Sequence, residues 1–124
     1  LLNNIQISKE LLSEVLEYKD KDYVIVATEK DIFLDKNYLH FEYQDPYCTP
    51  ETYITIKDKI NIYELAHKCK EWAISKGYIL QSGYQNCICI NFTDNLSKNK
   101  FSAHTEIEAI FKACEWVLKE INAK

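Results

Sequence analysis

Apolar side chains recur at helical spacing in two long stretches of this chain, and at strand spacing in much of what lies between them. From Thr105 to Ile121 the residues Ile107, Ile110, Phe111, Cys114, Val117, Leu118 and Ile121 fall in one stripe at about 100° per residue. Thr105 with Glu108 three residues on makes a T-x-x-E capping box, which predicts where the helix starts. Glu108, Lys112, Glu115 and Lys119 are expected on the far side, with Glu115 and Lys119 at the favourable i,i+4 spacing. Trp116 stands off the stripe beside Ala109 and Ala113, so a second buried or binding surface is implied on the back of this helix. The other long helix runs from the Asn61 cap to Lys76, with Ile62, Leu65, Ala66, Cys69, Trp72 and Ala73 in its stripe and Gly77 in the C′ position.

Shorter patterns fill in the rest. Ser8 caps a helix over Lys9 to Glu17, with Leu11, Leu12, Val15 and Leu16 on one side. Strands are predicted at Asp22 to Thr28, Ile32 to Leu34 and Tyr38 to Tyr43, the last with Leu39, Phe41 and Tyr43 alternating against Tyr38, His40 and Glu42. Gln44 to Glu51 holds both prolines and reads as a loop, and Thr52 to Lys57 as a further strand. Tyr78 to Ser82 and Asn86 to Phe92 form a hairpin around a turn containing Gly83. Asp94 to Lys100 reads as polar loop, and Phe101 to His104 as a short strand entering the last helix. The fold class expected is α+β: an antiparallel sheet sandwiched or flanked by two long capped helices, with an N-terminal helix and additional strands continuing the sheet. Because Asn86 to Phe92 is apolar on both sides near its middle, helices on both faces are expected.

At 124 residues the chain is expected to be one domain, 1–57 a helix and strands and 58–124 a helix–strands–helix unit. A net charge of -4 argues against general nucleic-acid binding, and the fifteen basic residues are all lysine, without the bidentate fork of arginine. Two glycines leave no room for a dinucleotide turn or a phosphate-cradling loop, so no cofactor is expected. No stretch has the roughly 20 apolar residues of a membrane span. Five cysteines without scaffold spacing suit a reducing cytoplasm, here the expected location.

Cys87 and Cys89 form C-x-C on a strand and, with Cys69, Cys114 or His104, are the candidate thiolate metal site. The sulfurs lack a turn that would let them converge, and Cys69 and Cys114 sit inside core stripes, so packing accounts for them better. His104, Glu106 and Glu108 invite an acid–base reading, yet capping and the helix dipole explain that pattern with less. The chain is therefore read as a non-enzyme. Nine tyrosines are more telling: Tyr47 in the proline loop, Tyr63 off its stripe and Tyr84 at the hairpin turn are candidate binding residues, with Trp116, Ala109 and Ala113 the leading patch.

The runs Glu64 to Ala73 (E-L-A-H-K-C-K-E-W-A) and Thr105 to Trp116 (T-E-I-E-A-I-F-K-A-C-E-W) resemble a set of small phage and prophage proteins. In those the C-terminal half is a helix, an antiparallel set of strands and a T-E-x-E-A-I-x-x-A helix, similar in pattern to the phage helix–sheet–helix sandwich. The likeness covers roughly residues 60–121, specifies capping and packing, and carries no catalytic residue across. It implies an accessory binding protein, acting against bacterial antiviral defence in the host cytoplasm by covering a defence protein or sequestering a signalling nucleotide, and forming a homo-oligomer. The alternatives are a self-assembling structural component, or a small thiol- or zinc-dependent enzyme using Cys87, Cys89 and His104.

Overall fold

A computed structural model describes residues 7–18, 23–25, 32–44, 55–94 and 96–123. These residues form three helices and seven strands: α1 (Lys9–Val15), β1 (Val24–Ile25), β2 (Phe33–Asp35), β3 (Tyr38–Gln44), β4 (Thr55–Asn61), α2 (Ile62–Ser75), β5 (Tyr78–Gly83), β6 (Asn86–Asn91), β7 (Ser97–Ser102) and α3 (Glu106–Asn122). The fold is α+β, and all the strand pairs among the described residues are antiparallel.

All three of these helix starts are set by side-chain oxygens that take up otherwise orphaned amide protons. Ser8 accepts from the Leu11 N–H, Asn61 from Tyr63 and Thr105 from Glu108. The box at Thr105 closes on one side only, since Glu108 Oε1 is buried with no hydrogen-bond partner among the described residues. Glu106 instead accepts from the Ser82 hydroxyl at 2.6 Å, tying the helix start to β5. α2 stops at Gly77, whose φ of 96° suits glycine alone. There the chain reverses against a polar corner: Phe92 N–H donates to the Gly77 carbonyl, and the buried Asn91 accepts from both the amide and the hydroxyl of Thr93.

Two sheets form where the sequence pattern predicts one continuous sheet. β3 is the centre of the first, paired along its whole length with β4 on one edge. Its other edge is shared by β2 at one end, Phe33 opposite His40, and by β1 at the other, Ile25 opposite Tyr43. The second sheet has the order β5-β6-β7. α2 follows β4 directly at Asn61 and so separates the two sheets. The expected loop from Asp94 to Lys100 is largely strand β7, and the expected strand at Phe101 to His104 is its end. The hairpin turn falls on Tyr84 and Gln85, with Gln85 at φ 60°, while Gly83 lies within β5.

α3 and α2 pack on the same face of the second sheet. Cys114 of α3 meets Cys69 of α2, its thiol donating to the Cys69 carbonyl at 3.6 Å, and also lies near Cys87 and Cys89 of β6. The opposite face, with Ile79 and the half-buried Ile88 and Ile90, is left uncovered by both helices, contrary to the expectation from the apolar centre of β6. α1 crosses behind α2 and α3, and the inward residues of the first sheet, Leu39, Phe41 and Ile60, complete one continuous core. Glu115, expected to pair with Lys119, accepts from the Ser8 hydroxyl at 2.7 Å and from its backbone N–H at 3.4 Å, so α3 holds the cap of α1.

These joints make two predictions for stability. Gly77→Ala demands a positive φ and pushes a Cβ to 2.9 Å from Thr93 Cγ2, so urea unfolding should show a loss of more than about 1 kcal/mol. Glu115→Ala removes a charge-assisted bond, with an expected loss of about 2 kcal/mol. In a double-mutant cycle Ser8→Ala should cost less in the Glu115→Ala background, where only its cap on Leu11, worth about 1 kcal/mol, is lost, and additivity would show the bond to be idle.

Candidate functional site

The surface implied by Trp116, Ala109 and Ala113 exists, and the same chain fills it. Ala109 and Ala113 are fully buried. Trp116 is half-buried, edge-on to Tyr78 at 6.0 Å between ring centres and tilted against Phe101 at 5.8 Å. α3 is thus covered on two sides, by its own apolar stripe and by this aromatic one. Tyr63 is 58% exposed at the first turn of α2, and Tyr84 is 85% exposed at the tip of the β5–β6 hairpin. Tyr47 lies outside the described residues. The structure therefore leaves Tyr63 and Tyr84 on the surface, buries Ala109 and Ala113 and half-buries Trp116, without bringing the set together.

The cysteines line the seam between α2, α3 and β6. Cys69, Cys87, Cys89 and Cys114 are all free and buried. Burial pushes the Cys87 thiol from its ordinary 9.0 up to about 11 and Cys89 up to about 12, with neighbouring thiols adding to the rise. A hydrogen bond to Cys69, then burial, hold Cys114 higher still. Thiolates are the nucleophiles and the metal ligands, and this environment suppresses them. Among the described residues no group of three or more His, Cys, Asp or Glu is arranged to hold a metal ion. His104 is exposed, and His67 pairs with Glu71 at 3.1 Å on the solvent side of α2.

Two surfaces that sequence reasoning did not single out are the outward faces of the sheets. On the second sheet the pairing sets Ile79 beside Ile90 beside Lys98, and Gln81 beside Ile88 beside Lys100. Phe92, just past the end of β6, is 42% exposed, and Ile79 is 39% exposed. This face has an apolar centre, two lysines along β7 and no carboxylate among its strand residues. Its trace in the sequence is the outward isoleucines of Asn86 to Phe92, interpretable only once the helices are known to share the other face.

On the first sheet the outward residues of β3 are Tyr38, His40, Glu42 and Gln44. Phe33 lies flat against His40, ring centres 4.9 Å apart at an angle of 4°, and Lys59 Nζ sits 4.9 Å from the centre of the Tyr38 ring. A two-residue turn at Lys36–Asn37 fixes Asp35 opposite Tyr38 and hence Phe33 opposite His40, so this pair was in principle readable from the turn.

An open groove of about 460 Å³ between α1, β1 and the end of α3 is lined by Lys9, Glu10, Ser13, Tyr23, Ile25, Leu118 and others. It contains none of the aromatic residues singled out from the sequence.

The thiols carry a pH prediction with a definite sign. A folded-state value above the unfolded one means the fold favours the protonated thiol, so that contribution is whole below about pH 9 and is lost as pH rises through 11 to 12. Tyr18, raised by burial and by Asp58, acts in the same direction. Urea midpoints should therefore fall steadily above pH 9. Iodoacetamide at pH 8 should leave Cys69, Cys87, Cys89 and Cys114 unmodified in the native protein and label them once it is unfolded, as read by intact mass.

Comparison with known proteins gives no assignment: no family model matches the chain, and neither the curated proteins nor the solved structures contain a match.

Proposed function

We infer that this chain is a binding protein that works by covering another protein, and that it docks through the outward face of the β5–β6–β7 sheet. The observation that carries the reading is that face itself: the exposed Ile79 beside the half-buried Ile88 and Ile90, with the exposed Phe92 just past the end of β6 and Lys98 and Lys100 along one margin. Soluble monomers seldom leave a contiguous apolar patch of this kind without a partner. Two like charges and no carboxylate among the described strand residues of the face favour an acidic partner over a second copy of the same face, because like faces brought together offer the lysines no opposite charge. The resemblance in Glu64 to Ala73 and Thr105 to Trp116 supports placing this role in a phage or prophage, where the partner would be a bacterial defence protein. Sequestration of a signalling nucleotide is the alternative role in the same setting, a homo-oligomer would form through a different surface, and action in the host cytoplasm follows from the resemblance.

The test is expression of the chain in bacteria that each carry one defined antiviral system, with phage plating as the readout. Plating should rise for at least one system and fall back with the Ile79→Glu, Lys98→Glu double variant. Both positions are solvent-exposed, so the variant should keep the parent Tm to within a few degrees while losing about 2 kcal/mol or more of binding. Unchanged plating in every strain, or a double variant as active as the parent, would reject the docking face. A concentration-dependent dimer abolished by the same substitutions would show that a second copy occupies it.

A further inference from the structure

We propose that the outward face of the β2–β3–β4 sheet is a nucleotide site, in which Phe33 and His40 stack the base and Lys59 holds a phosphate. This site is separate from the protein-docking face above and does not depend on it.

The strand register sets the chemistry of this face. Phe33, His40 and Lys59 form one row across three strands, and Asp35, Tyr38 and Asn61 form the next. Phe33 is 52% exposed and Tyr38 40% exposed, an unusual amount of aromatic surface for adjacent rows of a small sheet. A sheet face with no bound partner gains little from leaving a phenylalanine this open, whereas a base finds on it a ready stacking surface. The two rings are already parallel, so the stack is formed before any ligand arrives, and the entropy of ordering it is spent in folding. Phe33 lies on the edge strand here, and its ring has no cross-strand neighbour beyond His40 among the described residues.

Charge decides what kind of nucleotide fits. Lys59 stands next to His40 on the side away from Phe33, with its ammonium over the Tyr38 ring, so it serves the phosphate of a nucleotide whose base meets the His40 side of the stack. Lys57 lies two residues further along β4, but directly opposite Glu42, and Asp35 occupies the other corner of the face beside Tyr38. A carboxylate directly across from Lys57 and another at the far corner of the face repel a continuing phosphate backbone. The face therefore suits one or two nucleotides and rejects a long polyanion, in keeping with a chain of net charge -4.

Free nucleotides and single strands share this chemistry, and an NMR titration separates them. Isotope-labelled protein would be titrated with adenosine monophosphate, with a two-nucleotide deoxyadenosine strand and with one of about eight nucleotides. The expected result is ring-current shifts on Phe33, Tyr38 and His40 with all three probes, and affinity that stops rising at two nucleotides. Phe33→Leu keeps the apolar bulk and removes the π face; it should weaken binding by about tenfold while leaving the rest of the spectrum in place. Lys59→Gln should also weaken binding and lower the salt slope by about one. The Ile79→Glu, Lys98→Glu variant should bind as the parent does, so failure of the protein-docking reading would leave this one standing. Absence of shifts at these residues with every probe, shifts that Phe33→Leu leaves untouched, or affinity that keeps climbing with strand length would each overturn the proposal.

Discussion

The close approach of α3 to the β5–β6–β7 sheet is the constraint on which the rest of the molecule depends. Small side chains set it. Ala109, Ala113 and Cys114 on the helix, and Cys87 and Cys89 on the central strand, are all buried to within a few per cent. Cysteine serves here as an apolar residue a little larger than alanine, with a polarisable sulfur that packs well at short range. The thiol of Cys114 spends its one weak donor on the Cys69 carbonyl, and that contact draws α2 against α3. α1 is then fixed through Glu115, and the first sheet is carried along because β4 passes into α2 at Asn61 with no residue between.

With both helices on one face of the second sheet, the architecture has sided surfaces. Each sheet buries one face in the common core and turns the other outward. The two outward faces differ in chemistry as sharply as the sequence allows: isoleucine and lysine without acid on one, aromatic rings and histidine with charges of both signs on the other. Neither face repeats the aromatic helix patch that the sequence brings to notice first. Trp116 is a half-buried residue packed at the margin of the helix–sheet layer against Tyr78 and Phe101.

How much of this was legible in the sequence depended on whether the cause was local. Ser8, Asn61 and Thr105 start helices through contacts two or three residues away, and all three were readable. The stripes of α2 and α3 were readable for the same reason. β7 was not, because S-K-N-K-F-S carries one apolar side chain, Phe101, and owes its extended shape to the hydrogen bonds of β6. The division into two sheets rests on which edges meet, a matter of contacts far apart in the chain. The burial of Ala109 and Ala113 was hidden by the helical wheel, which assigns one face to the core and has no means of showing that a helix is covered on a second. Of the candidate binding residues, Tyr63 and Tyr84 keep their surface positions because local spacing governs them.

Sequestration of Cys69, Cys87, Cys89 and Cys114 also shields these four sulfurs from oxidants while the fold is closed. Disulfide exchange and peroxide chemistry both require a thiolate in contact with solvent. For Cys69, Cys87, Cys89 and Cys114 that condition is met only when α3 lifts from the sheet. The speed at which these sulfurs oxidise is then the intrinsic rate multiplied by the fraction of time the layer stands open, as for a buried amide exchanging its hydrogen. Oxidation draws molecules out of the open population and does not return them. The redox poise of the environment therefore sets how long the protein persists, while its native contacts stay the same.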